Sequence, residues 1–153
     1  MGTQTFVVRA DDVMPFAPEG REHIFRSQVI IGPTGGAESE HLYMTRFTLL
    51  AGQALGGHAH PKGSDETYYI LRGTVRLELA PEVGSTERAI YEVGPDTAIF
   101  IPGGTFHRLD NTDGHEDIVL LTIWHTPPPP GANGIHDGRI KTWGTTFRKI
   151  TDA

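Results

Sequence analysis

The chain has 153 residues, no cysteine and a net charge of −6 with histidine neutral. A chain of this length fits one compact domain that buries roughly two-thirds of its unfolded surface, so no covalent staple is needed. The lack of cysteine excludes disulfides, thiolate metal sites and a cysteine nucleophile, and the acidic balance without a Lys/Arg stripe argues against nucleic acid as a partner.

The start, Met1-Gly2-Thr3-Gln4, lacks the basic opening and apolar stretch of a secretion signal. Phe6 stands where a myristoylation pattern wants Ser or Thr. No apolar run approaches the ~20 residues that span a bilayer. The expectation is a cytoplasmic protein with no membrane partner, organised as a single domain over 1–153. Within it, an N-terminal arm covers 1–22, a β core about 23–126 and a C-terminal tail 127–153.

The 19 Gly and 11 Pro fall between short apolar or alternating runs, which is the punctuation of an all-β protein. One helical turn is expected near Asp11–Phe16. Strands follow at His23–Ile31, His41–Leu50, Thr67–Arg72, Thr74–Leu79, Ala89–Glu92, Thr97–Ile101, His107–Leu109 and Asp117–Trp124, with a hairpin turn expected at Gly73. Turn signals such as Gly32-Pro33-Thr34-Gly35-Gly36 and Gly94-Pro95-Asp96 separate them. Many short strands with frequent turns indicate a sandwich or barrel. The run Pro127–Pro130 is stiff and donates no backbone hydrogen bonds, so it ends the last core strand. Trp143, Phe147 and Ile150 suggest that the tail beyond it docks.

The chemistry concentrates in three places. His58 and His60 are two apart, and in a strand residues i and i+2 share a face, so both imidazoles can reach one ion. Glu66 opens a strand whose inward set is Glu66, Tyr68 and Ile70. The turn Pro102-Gly103-Gly104 places His107 at the start of another strand. A lone His-x-His pair is usually an ordinary polar pair, so the combination matters more than any member.

These residues resemble the cupin family. Its first motif is Gly, five residues, His-x-His, three or four residues, Glu, six residues, Gly. The chain reads Gly52, five residues, His58-Ala59-His60, five residues, Glu66, six residues, Gly73. The second motif is Gly, five residues, Pro-x-Gly, two residues, His, three residues, Asn; Pro102, Gly104, His107 and Asn111 hold its spacing. Two positions depart. The gap before Glu66 is one residue longer than usual, which Asp65 would repair at the expense of the interval to Gly73. Glu66 is preferred, because a loop absorbs an extra residue whereas a slip within a strand turns the side chain to the other face. Asp96 stands at the second motif's glycine, with Gly94-Pro95 before it suggesting a rebuilt turn.

The resemblance implies a single jelly-roll-like cupin β-barrel with His58, His60, Glu66 and His107 as ligands of one divalent metal ion. An all-N/O set suits Fe, Mn, Ni, Co or Zn and leaves two octahedral positions open. Tyr68, Ile70, Val75, Leu77, Phe100 and Leu109 are expected to line an apolar pocket for a small organic substrate. Tyr68 is the candidate acid–base or supporting residue beside the metal, unless it simply fills the barrel, and His125 is a lesser candidate for the pocket. Cupins include dioxygenases, decarboxylases, lyases, isomerases, polyketide cyclases, sugar sensors and storage proteins. A dioxygenase is the first expectation, a non-redox isomerase, lyase or polyketide cyclase the second, and a non-catalytic small-molecule binder the third. A homodimer is also expected, through an exposed edge at His23–Ile31 or the arm Thr5–Ala10.

Overall fold

Alternating burial is what sets the strands of this protein. In the computed structural model, which describes residues 7–32, 36–124 and 147–149, the strands are β1 (Phe16–Pro18), β2 (Phe25–Ile31), β3 (Tyr43–Leu49), β4 (Ala54–His58), β5 (Glu66–Arg72), β6 (Val75–Ala80), β7 (Ala89–Val93), β8 (Ala98–Ile101), β9 (Phe106–Asp110), β10 (Ile118–Trp124) and β11 (Phe147–Lys149). Along β3 every second residue, from Tyr43 through Thr45 and Phe47 to Leu49, is buried, and β5 buries Glu66, Tyr68 and Ile70 in the same rhythm. Such alternation turns one face of each strand to the core and the other to solvent.

The strands form two antiparallel sheets. One has the order β11-β1-β2-β3-β10-β5-β8, the other β4-β9-β6-β7. Phe25, Phe47, Leu49, Ile70 and Leu120 from the larger sheet meet Val75, Leu77 and Leu109 from the smaller in one apolar core. The result is a jelly-roll-like sandwich, all β apart from one 3-10 turn at Ala10–Asp12 among the described residues. The sheets do not close into a true barrel.

All eight expected strands are present, with ends moved by a residue or two. Three were not expected. β1 and β11 are three residues each and pair with one another; β4, Ala-Leu-Gly-Gly-His, looks like a turn because of its glycines. The early helical turn sits at Ala10–Asp12, and Phe16 already belongs to β1. Gly73 does not close a hairpin: β5 pairs with β10 and β8, β6 with β7 and β9, so Gly73 carries the chain from one sheet to the other. Its left-handed φ of 81° and a would-be Cβ 2.5 Å from Ile118 Cδ1 explain why glycine stands there.

Other expectations are corrected by the packing. β2 is not a free edge, since β3 pairs along it and β1 meets it at Phe16↔Ser27. Gln28 Nε2 also donates to the carbonyls of Ala10 (2.7 Å) and Val13 (2.9 Å), tying the leading segment to its own strand. Phe100 points outward and is 63% exposed, while Ile99 and Ile101 face the core. The turn before β8 falls at Pro95-Asp96. Asp96, at the position of the motif's glycine, takes the left-handed conformation, φ 61°; aspartate tolerates this region better than most residues. The expected tail residues Trp143 and Ile150, and His125, lie outside the described residues; for Phe147 only its place in β11 is described.

Candidate metal centre

A bulge in β4 brings the first histidine into place. β4 pairs with β9 as Leu55↔Leu109 and then His58↔His107, so Gly56 and Gly57 on β4 oppose the single Arg108 on β9. An extra residue in one strand reverses which face the following side chains take. His58 therefore shares the inward side with Leu55 although it lies three residues on, and it stands directly opposite His107. The bulge falls at Gly56-Gly57, and a Cβ on Gly57 would lie 2.2 Å from Phe106 Cζ. His60 is not on the strand, as i, i+2 alternation had suggested; β4 ends at His58. The chain around His60 is held instead by the Gly104 N–H, which donates to the His60 carbonyl at 2.8 Å.

The three rings meet pairwise, with centroids 4.9 Å apart for His58–His60, 4.5 Å for His58–His107 and 5.0 Å for His60–His107. One ring nitrogen from each lies within 4.8 Å of the others. Glu66, 2% exposed at the start of β5, faces them: its Oε2 is 3.0 Å from His60 Nε2 and 3.4 Å from His107 Nε2. Burial by itself pushes the Glu66 carboxyl up. The contacts with His107 and His60, and their charge, outweigh it and hold the group below the usual glutamate range.

His107 is the most firmly held. It is 1% exposed, and its Nδ1–H donates to the Thr105 carbonyl at 3.0 Å, which turns Nε2 toward the cluster. That Nε2 is buried with no aligned hydrogen-bond partner, since the 3.4 Å approach of Glu66 lacks hydrogen-bond geometry. A buried polar atom left this way is costly unless something else fills the space. Three converging imidazoles, one buried carboxylate and an orphaned nitrogen fit a divalent ion.

Asp65 plays a different part. It is exposed, and its Oδ1 accepts the N–H of Gly103 at 2.9 Å, so it joins the loop that carries Glu66 to the turn that precedes His107. Gly103 is packed into that junction. A Cβ there would lie 2.4 Å from the Pro61 carbonyl oxygen and 2.8 Å from the Gly63 nitrogen. Gly103→Ala should force the loop and turn apart, lowering stability by about 1–3 kcal/mol and metal affinity about tenfold. Urea unfolding and metal titration check the two effects.

Tyr68 is buried on the same face as Glu66, its ring centroid 6.0 Å from that of His107. The pocket expected around it is not open, because Tyr68, Ile70, Val75, Leu77 and Leu109 are all packed into the core. The accessible side of the cluster is that of His58 and His60, the latter 20% exposed. There Trp124, which sequence reasoning passed over, lays its ring against His60 with centroids 4.3 Å apart. Parity on β10 could have found it, since Thr122 and Trp124 face inward together opposite Tyr68 and Glu66.

Fold and cluster together define a jelly-roll β protein with a histidine–carboxylate centre at one end of its core. The cupin-domain family matches residues 45–124, just over half the chain, and the chain belongs to that family. No match is found among curated proteins. Several solved structures share the fold. The DMSP lyase DddQ from Ruegeria pomeroyi DSS-3 is 21% identical, with 80% of this chain and 56% of that one covered at a TM-score of 0.57. A protein described as a predicted oxalate decarboxylase from Thermotoga maritima is 22% identical over 78% of this chain and 98% of that one, TM-score 0.60. The polyketide cyclase RemF from Streptomyces resistomycificus is 23% identical over 82% and 83%, TM-score 0.62. The chain thus spans about half of the lyase and nearly all of the Thermotoga protein.

Proposed function

We propose that the protein is a metal-dependent enzyme acting on a small organic substrate, with one divalent ion held by His58, His60, Glu66 and His107. The observation that carries this reading is the convergence of three imidazole nitrogens within 4.8 Å beside a buried carboxylate. The ion would supply Lewis acidity, or O2 activation if redox-active, at positions the four protein donors leave free. His107 holds its lone pair on the site through Thr105, and Glu66 offsets part of the ion's charge. Substrate approaches from the His58 and His60 side, past Trp124. Tyr68 serves as acid–base or orienting group from below. Tyr68→Phe should leave metal content unchanged and lower turnover by about 100-fold or more if it moves a proton.

Two reaction types remain in the reading. Dioxygenation is the first, since an all-N/O ligand set admits Fe(II) with open positions. Non-redox lyase, isomerase or cyclase chemistry is favoured by the names of the similar structures, which include a lyase, a predicted decarboxylase and a cyclase. Oxygen uptake on a panel of small oxyacids and enolisable ketones, run aerobically and anaerobically with each metal, separates them: turnover that persists without O2 removes the dioxygenase.

The same proposal includes a cytoplasmic location; among the described residues no helix is long and apolar enough to cross a membrane. It also includes a homodimer. With β2 covered, the support lies elsewhere, in exposed Ile90 and Tyr91 on β7 and Phe100 on β8. Light scattering at tens of micromolar should give twice the chain mass; a monomer ends that part.

A further inference from the structure

We propose that Trp124 is the positioning residue for His60 and reports metal binding through its own fluorescence; this rests on the metal-binding reading above. The imidazoles are not held alike. His107 is anchored through its Nδ1 to the Thr105 carbonyl, and His58 closes a strand opposite it. His60 lies beyond the end of β4 and is 20% exposed, and among the described residues nothing bonds its Nδ1 as Thr105 bonds that of His107. Its Nε2 meets Glu66 Oε2 at 3.0 Å, and its ring rests against Trp124, at 4.3 Å between centroids and 75° between planes. Aromatic rings favour such edge-to-face contacts.

Trp124 is itself fixed from behind. It lies in register with Tyr43 on one neighbouring strand and Glu66 on the other. Its Nε1–H donates to Thr122 Oγ1 at 3.2 Å, and that hydroxyl shares a hydrogen bond with Thr45 Oγ1 on β3. Thr45 is 0% and Thr122 2% exposed, so neither hydroxyl has water to turn to. The buried pair sets the indole, and the indole sets the ring of His60. Without it, the Glu66 contact is what still orients the His60 ring, and an ion bound between the two replaces that contact. Groups that orient a metal ligand in this way are typically worth about 10–100-fold in metal affinity.

The test uses the full chain carrying Trp143→Phe, which leaves Trp124 as the one tryptophan. Cobalt(II), whose unpaired electrons quench indole emission at short range, should quench Trp124 saturably at one ion per chain; unquenched emission at saturating bound cobalt overturns the proposal. In the unaltered background, Trp124→Leu should weaken cobalt binding by about 10-fold or more and change the visible spectrum of the bound ion. Trp124→Phe should do less. Thr122→Val keeps the side-chain shape but removes the indole's acceptor, and should shift both affinity and spectrum part of the way. Wild-type affinity and spectrum in Trp124→Leu overturn the proposal; should that variant fail to fold, the same result in Thr122→Val does so. His60→Ala separates the two ideas. Loss of cobalt there with no change in the Trp124 and Thr122 variants sinks this inference alone; full retention there removes His60 from the site and this inference with it; a parent that binds no cobalt sinks the metal reading beneath both.

Discussion

His107→Ala is expected to remove metal binding and to destabilise the metal-free protein by roughly 2–4 kcal/mol. Both effects follow from its position. His107 lies between β4 and β6, paired with His58 and Leu79, and is 1% exposed. Truncation leaves a cavity that β-sheet neighbours on two sides cannot collapse. It also takes from the buried Glu66 carboxylate one of the groups that hold it charged. Loss of a direct ligand should exceed the 10–100-fold typical of supporting residues, so affinity falls by more than about 100-fold. Cobalt titration and urea unfolding of the apo form measure the two effects separately. A variant that binds metal as the parent does would remove His107 from the site.

Glu66→Gln should weaken metal binding nearly as much, and Asp65→Asn should not. The amide keeps the shape of Glu66 but loses the charge that offsets the ion. Asparagine at 65 still offers an oxygen to the Gly103 N–H and keeps the loop clasped. The opposite ranking would mean that the longer loop before Glu66 has shifted the strand by one residue. The Glu66 carboxyl also gives stability a pH dependence. Its native pKa is lowered, because His107 and His60 outweigh the effect of burial. A group depressed in the folded state contributes stability that is fully present above its unfolded value, about 4.3, and is lost as pH falls through the folded value. Apo protein should therefore weaken as pH drops below about 4.3, and Glu66→Gln should lack that share of the loss. Metal affinity should also fall in acid, because ligating imidazoles must be neutral.

The sequence carried the site better than the shape around it. Residue spacing placed Glu66 rather than Asp65 beside the histidines, because a loop hides an insertion and a strand does not. Parity along β5 assigned Glu66, Tyr68 and Ile70 to the core correctly, but along β8 it turned Phe100 inward, where the one-residue choice of strand phase decides everything. The β4 bulge was not legible. Two glycines read as a turn, yet they let His58 face His107 across a strand pair, and that required knowing that Phe106 covers Gly57. The hairpin expected at Gly73 failed for a related reason: a left-handed glycine marks a sharp turn without saying whether the next strand stays in the same sheet. Parity on β10 could turn Thr122 and Trp124 inward, but that Thr122 meets Thr45 and Trp124 meets His60 depends on partners far apart in sequence and leaves no local signal.

The most direct test is metal content. Protein purified without added metal, and the same protein stripped and reloaded anaerobically with Fe(II), Mn(II), Co(II), Ni(II) or Zn(II), should be assayed by elemental analysis beside the His58→Ala, His60→Ala and His107→Ala variants. A centre built from these residues predicts one tightly held ion per chain in the parent and most of it lost in each variant. A parent that retains none of the five metals after reloading, while still folded, would contradict it.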